Sequence, residues 1–292
     1  MQAPFRLATA QYGISFLESW ADYERKIERW VAEAAESEAK ILVFPEYFSM
    51  ELTSLFPKAA ELSLSDQLTT LQDLKQDFLR LYETLAQRYN VTILTGTYPV
   101  QQNDGSYRNR SWLTAPDRAT DFQDKLQMTR FENEVWGISS GNTVRVLDTA
   151  YGKIGVAICY DSEFPLIVRQ QVENGAQLIL VPSCTDTTAG YYRVRTGCQA
   201  RALENQCYVI QSSLVGLADW SKATDINIGT AGIYTPMDYG CPDTGILAIG
   251  ELNKPQWVYA DIDLALMEKV RSSGQVFNHR DWDKQYPLVK TK

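Results

Sequence analysis

The amino-acid sequence predicts an α/β protein, a layered structure with sheets inside and helices outside. Three observations carry this reading. Strand and helix periodicities alternate along the first third, two continuous apolar runs are each halted by a proline, and the second half repeats the plan of the first. No Gly/Ser linker or low-complexity tract parts the halves, so the 292 residues read as one domain built from two similar halves.

The elements follow in order. Residues 6–11 open as a strand, and within 18–37 the apolar side chains Trp20, Tyr23, Ile27, Trp30, Val31 and Ala34 recur at helical spacing. Residues 41–44 form a short apolar run stopped by Pro45, which suits a strand buried on both faces. A second helix is predicted over 66–88, with Leu71, Leu74, Phe78, Leu81, Tyr82 and Leu85 inward, and 91–96 returns as a strand. Asn103-Asp104-Gly105 predicts a hairpin into a strand at 108–114. A strand at 120–123 then leads into a charged stretch, 124–134, whose lack of periodicity reads as a solvated loop.

In the second half, 153–158 is a buried strand and 162–174 a helix. Residues 178–181 form a strand stopped by Pro182, 191–205 a helix, and 208–212 another strand. Strands at 229–234, 246–251 and 257–262, a short helix at 263–271 and a polar tail complete the chain.

Composition removes several classes of function. There are 28 Lys+Arg against 36 Asp+Glu, a net charge of −8, and the basic residues are scattered, which argues against nucleic-acid binding. The single histidine, His279, cannot build a three-His or HExxH zinc site, and it lies in the polar tail. Ser-His or Cys-His catalysis would need that one tail residue as its base, so the base is expected to come from a carboxylate, lysine or tyrosine. Five cysteines without CxxC spacing read as free thiols in a reducing cytosol. The N-terminal residues lack the apolar run of a signal peptide, so the expectation is a soluble, cytoplasmic protein that avoids membranes.

Three residues stand out as candidates. Cys159 ends an apolar run and is followed by Asp161 and Ser162, good helix N-caps, with Pro165 close behind. A thiol there would feel the partial positive charge of a helix N-terminus, although a buried inert cysteine fits the same position. Glu46 follows the buried strand 41–44, where ligands gather at the carboxyl ends of strands and where burial raises a carboxyl toward the range of a general base. Lys125, just after the strand at 120–123, reads equally well as a surface charge when taken alone.

Together with their neighbours the three become specific. Phe44-Pro45-Glu46, Asp124-Lys125-Leu126 and the run from Cys159 through Tyr160, Asp161, Ser162, Glu163 and Phe164 to Pro165 resemble the three signature blocks of the nitrilase, or carbon–nitrogen hydrolase, superfamily. Gly152-Lys153-Ile154-Gly155, Gly175-Ala176, Val181-Pro182-Ser183 and the run 200–205 also fit, so the likeness spans roughly residues 6–262 in order.

The resemblance implies a four-layer αββα sandwich occupying residues 1–275, with 276–292 as a tail that packs on a partner subunit. It implies a homodimer or larger assembly, and a Glu-Lys-Cys triad needing neither metal nor organic cofactor. Carried over by position, Cys159 is the nucleophile, Glu46 the general base and then acid, and Lys125 the cation that holds the oxyanion. A second glutamate follows the lysine in relatives. Glu132 fits best, because Glu132 and Trp136 match a Glu-x-x-x-Trp pattern, with Glu134 as the fallback. Tyr47, Trp136, Tyr160, Cys184, Thr185 and Tyr192 are expected pocket walls, and Arg193 and Arg195 candidate cations for an acidic substrate.

The implied reaction is hydrolysis of a non-peptide C–N bond in a small carboxamide through a cysteine thioester. Cys159-Tyr160-Asp161 is typical of amide hydrolases, whereas classical nitrilases usually carry Cys-Trp-Glu at this place. The segment from Lys125 to Trp136 looks more nitrilase-like, which keeps nitrile hydrolysis as the alternative. A catalytically silent scaffold on the same fold is the rival of another class. Substitution of Cys159, Glu46 or Lys125 is expected to abolish turnover at unchanged thermal stability.

Overall fold

The computed structural model describes residues 3–289; residues 1–2 and 290–292, at the outer ends of the expected domain and tail, lie outside the described residues. The first half runs β1 (Phe5–Gly13), α1 (Trp20–Glu36), β2 (Ala39–Val43), α2 (Leu64–Tyr89), β3 (Thr92–Gln101), β4 (Tyr107–Ala115), β5 (Arg118–Asp124) and a one-turn helix α3 (Arg130–Glu134). The second runs β6 (Val146–Thr149), β7 (Gly152–Val156), α4 (Pro165–Glu173), β8 (Leu178–Ser183), α5 (Thr188–Asn205), β9 (Tyr208–Leu217), β10 (Ile226–Asn227), β11 (Gly232–Tyr234), β12 (Ile246–Ile249) and β13 (Gln256–Ile262). Helices α6 (Leu264–Ser273) and α7 (Asn278–Asp281) follow.

Side-chain chemistry sets the helix starts. Ser19 Oγ accepts from Asp22 N at 3.2 Å and Ser63 Oγ from Asp66 N at 3.1 Å, capping α1 and α2. Asn90 ends α2 in the left-handed region, at φ 51°.

The strands form one hydrogen-bonded path, β5-β4-β3-β2-β1-β9-β8-β7-β6, with β13 on β1, and β10 and β11 on β9. The path turns over at β1, whose first part pairs with β2 and β13 and whose last residues pair with β9. Two half-sheets therefore face each other. In β2 the two-residue period divides the faces: Leu42 packs with Tyr23, Ile27 and Phe78 of α1 and α2, whereas Ile41 and Val43 pack with Ile154, Val156 and Ile179 of the other half. Helices α4, α5 and α6 cover the second half through Val168, Val194, Cys198 and Met267. The result is a four-layer αββα arrangement. Each buried Leu, Ile or Val contributes about 1.5–3 kcal/mol over leaving it exposed.

Three sequence expectations need correction. The strand at 178–181 does not stop at Pro182 but continues through it to Ser183, with Pro182 opposite Ser212 in a parallel pair. The helix expected at 162–174 starts at Pro165, because residues Cys159–Glu163 first form a 3-10 turn. The charged stretch 124–134 is not a solvated loop: Lys125 and Glu132 are each 1% exposed. The tail, for its part, includes a helix over Asn278–Asp281 and makes contacts with the body of its own chain. Gln206 Nε2 donates to Val276 O at 3.0 Å, Arg169 Nη1 to His279 O at 3.2 Å, and the Arg169 guanidinium lies 4.8 Å from the Trp282 ring centre.

One close approach fixes the turn after β2. At Gly96, φ is +67°, and an added Cβ would collide with the carbonyl oxygen of Pro45 and sit 2.7 Å from the Phe48 ring. This lets Thr97 receive the turn: Thr97 N donates to Pro45 O at 3.3 Å and Tyr47 N donates to Thr97 Oγ1 at 2.8 Å. The 3-10 segment that follows, Phe48–Leu55, is held by Glu51, which accepts from Tyr12 OH at 2.6 Å, from Ser15 N at 2.7 Å and from Lys26 Nζ. Gly96→Ala should lower unfolding free energy by about 2–4 kcal/mol, from left-handed backbone plus overpacking. Urea denaturation measures this, and a change within about 0.5 kcal/mol, the ordinary surface value, contradicts it.

Candidate active site

Strand direction gathers the site. Strands β2, β1, β9, β8 and β7 are successively parallel, and β5 runs in the same sense as β2 because one parallel and two antiparallel pairings separate them. The carboxyl ends of β2, β5, β7 and β8 thus share one rim. Glu46, Lys125, Cys159 and Cys184 each lie within three residues beyond one of those ends. Two of the connecting turns are strained, since Tyr47 at φ 52° and Cys159 at φ 48° occupy the left-handed region.

Lys125 is the hub. Its Nζ donates to Glu46 Oε1 at 2.8 Å and to Glu132 Oε2 at 2.6 Å, with all three residues 1% exposed. An ammonium has three protons, so one remains for a further acceptor. Glu46 Oε1 also accepts from Asn109 Nδ2 at 2.9 Å, and its Oε2 accepts from the backbone N of Cys184 at 3.1 Å. Glu132 is more fully bound. Its Oε2 takes Thr129 N at 2.9 Å and Thr129 Oγ1 at 2.8 Å, and its Oε1 takes Tyr47 OH at 2.8 Å and Asn109 Nδ2 at 3.4 Å. The Thr129 bonds form a capping box, so helix α3 exists around this carboxylate. Cys159, 5% exposed, points its Sγ toward Cys184 O at 3.7 Å.

The two carboxylates are driven apart in proton affinity. Burial pushes Glu46 up, against the pull of Lys125 and a hydrogen bond from Cys159, whereas Lys125 and the surrounding donors overcome burial at Glu132 and hold it down. Burial alone would lower Lys125, but Glu132 and Glu46 together keep its ammonium well above the ordinary value. Burial, reinforced by Glu46, raises the Cys159 thiol, so the resting sulfur keeps its proton. The arrangement is a protonated thiol, a base able to take that proton, and a fixed cation alongside.

Of the expected wall residues, Tyr47 and Trp136 meet edge to face with ring centres 5.5 Å apart, and the Tyr47 hydroxyl is bound to Glu132. Cys184 is half-buried, with Sγ 3.3 Å from Asn227 Oδ1. Tyr160 is half-buried with its ring edge on Phe164, centres 4.8 Å apart. Thr185 Oγ1 donates to Ile228 O at 2.7 Å, tying down the segment before β11. Tyr192 makes none of the cluster's hydrogen bonds. It is 51% exposed and lines a groove of about 610 Å³ with Glu163, Arg193, Thr196 and Arg201. The Arg193 guanidinium lies 3.7 Å from Glu163, and Arg195 Nη1 donates to Tyr191 OH at 3.3 Å. The fallback Glu134 is exposed and lies 3.8 Å from Arg130, away from Lys125.

Two residues of the site escaped sequence reasoning. Asn109, fully buried on β4, donates to both carboxylates while its backbone O accepts from Lys125 N at 2.8 Å. Its only sequence signal is a polar residue inside a strand. Asp161, expected as a helix cap, instead ties the Lys125 and Cys159 segments together. It accepts from Leu126 N at 3.1 Å, Gln127 N at 2.7 Å and Ile158 N at 3.1 Å. Among the described residues, no group of three or more His, Cys, Asp and Glu side chains is placed to hold a metal ion, and no helix is long and apolar enough to cross a membrane.

Comparison with known proteins places this geometry in context. Residues 6–272 match the carbon–nitrogen hydrolase family. The probable hydrolase YhcX of Bacillus subtilis is 35% identical over 278 residues, covering 95% of this chain and 53% of that protein, so the chain spans about half the length of that relative. The omega-amidase NIT2-B of Xenopus laevis is 27% identical, with 99% of each chain covered. Among solved structures, a carbon–nitrogen hydrolase from Helicobacter pylori superposes with TM-score 0.77 at 18% identity over 99% of each chain. An amidase from Nesterenkonia sp. gives 0.67 at 21% identity over 95% of this chain and 96% of its own.

Asp161 sets a pH dependence. Burial raises its carboxyl to about 7, despite Lys125 and the backbone N–H groups. The folded protein therefore holds this proton between the unfolded value near 4 and about 7, so the group's contribution to stability falls as pH rises through that window. Asp161→Ala, which leaves three backbone donors unpaired, should cost about 3 kcal/mol at pH 5 and distinctly less at pH 8. Chemical denaturation at the two pH values checks this, and an equal loss at both refutes it.

Proposed function

The chain belongs to the carbon–nitrogen hydrolase family, and on that premise we propose that it hydrolyses a small carboxamide to an acid plus ammonia or an amine. Amidase relatives and the site geometry support this reading. The single observation that carries it is the buried Lys125 ammonium held between Glu46 and Glu132 beside the Cys159 thiol. A silent scaffold has no physical reason to bury that arrangement, because stripping water from three charges costs several kcal/mol per ion before pairing is counted.

Glu46 takes the Cys159 proton as the sulfur attacks the amide carbon, forming the C–S bond and moving the carbonyl pair onto oxygen. The third Lys125 proton and the backbone N–H of Tyr160 meet that oxyanion, each such donor being worth roughly 3–4 kcal/mol in a preorganised site. Glu46 then returns its proton to the nitrogen as the C–N bond breaks and a thioester forms. Water replaces the amine, Glu46 takes its proton, and collapse of the second tetrahedral adduct breaks the C–S bond and restores the thiol. Glu132, saturated by donors and held ionised, keeps Lys125 charged and aimed; Tyr47 and Asn109 position the two carboxylates. Cys184 acts chiefly through its backbone N–H on Glu46.

The expected assembly is a homodimer or larger of a single catalytic domain, with the tail, already tied to its own chain, also reaching the partner. Five free cysteines fit a reducing, cytoplasmic setting.

With a panel of small amides and the matching nitriles, wild type should release ammonia from amides, and Cys159→Ala should release none. Intact-mass analysis with iodoacetamide should add one label at Cys159 in wild type and much more slowly in Glu46→Gln. Undiminished turnover by Cys159→Ala sinks the proposal.

Lys125→Ala should also be inactive, but the buried geometry revises the expectation of unchanged stability. Removing the cation leaves two buried carboxylates face to face, a loss of about 3–5 kcal/mol at pH 7. Both then bind protons more tightly folded than unfolded, so the variant should regain stability as pH falls toward the ordinary carboxylate range. Thermal melts from pH 8 to pH 5 follow this, and a wild-type melting temperature at pH 8 contradicts it.

A further inference from the structure

We propose that the cavity on the face of β4 and β5 opposite Asn109, centred on Arg108, is a binding site for a small oxyanion. This site is separate from the catalytic cluster. Arg108 and Arg110 flank Asn109 in β4, so strand alternation that sends Asn109 to Glu46 sends both arginines to the other face. There, Gln102, Arg108, Arg110, Phe122, Asp124, Asn142, Thr143 and Arg145 enclose about 260 Å³. That volume suits a phosphate or a small dicarboxylate.

Two of the three guanidiniums are already matched to carboxylates. Arg110 binds Asp124 through two parallel bonds, Nε to Oδ1 at 2.7 Å and Nη2 to Oδ2 at 2.9 Å, with both side chains under 20% exposed. Arg145 pairs with Asp121, and both guanidiniums lie over Phe122, 3.7 and 4.4 Å from the ring centre. These contacts hold the walls rigid before any ligand arrives. The remaining acid near Arg108, Asp104, is engaged by Ser106, whose N lies at 3.0 Å and whose Oγ lies at 2.6 Å from Asp104 Oδ1.

Arg108 is different. It is half-buried, its Nη1 is inaccessible and lacks a hydrogen-bond partner, and no carboxylate pairs with it among the described residues. That nitrogen is closed off by protein, but the side chain it belongs to lines the cavity with its charge unpaired, and an anionic oxygen meeting the open part of the guanidinium fork supplies the missing counter-charge. The chain as a whole carries −8, so a donor-rich cationic cavity runs against its background charge. The occupant would touch the wall formed by Asp124, whose neighbour is Lys125. Binding there would brace the strand end that delivers the catalytic cation.

The test uses the whole chain at fixed ionic strength, with inorganic phosphate in one titration and malonate in another, followed by calorimetry and thermal shift against a chloride control. At least one of the two anions should bind saturably, and Arg108→Gln should weaken that binding about tenfold or more, the worth of a charged hydrogen bond. The tighter arm identifies a phosphate-like or a dicarboxylate ligand. Asn142→Ala, at another lining residue, serves as a second variant if Arg108→Gln folds poorly, and it should also weaken binding. No saturable binding in either arm, or equal binding by the wild type and both variants, overturns the proposal and leaves Arg108 as a hydrated surface cation.

Discussion

The structure depends above all on one buried ammonium shared by two carboxylates. Lys125 with Glu46 and Glu132 carries a net charge of −1 in a place almost closed to water, and that is tolerable only because nearly every lone pair is met. Glu132 accepts from Lys125, Thr129, Tyr47 and Asn109, so its proton affinity falls. Glu46 has fewer donors, and burial wins there. Two glutamates of identical chemistry thereby divide, one held ionised and one with its proton affinity raised, through the balance of burial, the shared Lys125 charge and the hydrogen bonds each receives.

The fold can be understood as the means of bringing that cluster together. Parallel strand order places the ends of β2, β7 and β8 on one rim, and the antiparallel excursion through β4 returns β5 to the same rim. Asp161 then joins the Lys125 and Cys159 segments through backbone hydrogen bonds, and Gly96 allows β3 to close against the turn at Pro45. The left-handed conformations at Tyr47 and Cys159 are the strain that these braces contain. Flexibility at any brace would loosen the hydrogen bonds of the cluster, since their energies fall steeply with misplacement.

Much of this was legible in residue order. Alternating apolar periods gave the helices α1 and α2 and the central strands to within a few residues, because burial of one face leaves a periodic trace. Pro182 misled because a proline within a strand usually marks its end, yet β8 carries it opposite Ser212 without breaking. The stretch 124–134 misled for a different reason. Charge predicts exposure unless a partner is present, and the partners of Lys125 lie 79 residues before it and 7 after. Such pairing leaves no periodic signal. Motif resemblance favours Glu132 over Glu134, and of the two only Glu132 lies against Lys125.

By itself, the sequence determined the layered α/β class and the absence of a multi-histidine metal site, and the resemblance it carries marked Glu46, Lys125 and Cys159. These rest on local features: apolar spacing, residue counts and short motifs. Only the tertiary structure decided which glutamate is held ionised and which has its proton affinity raised, that Asn109 and Asp161 adjoin the Lys125 cluster, and that Tyr192 lines a groove. It also left Arg108 without an acceptor in a cationic cavity. The physical reason is common to all four. Proton affinity, hydrogen-bond satisfaction and exposure are set by neighbours distant along the chain, and those distances exist only once the two half-sheets have folded against each other.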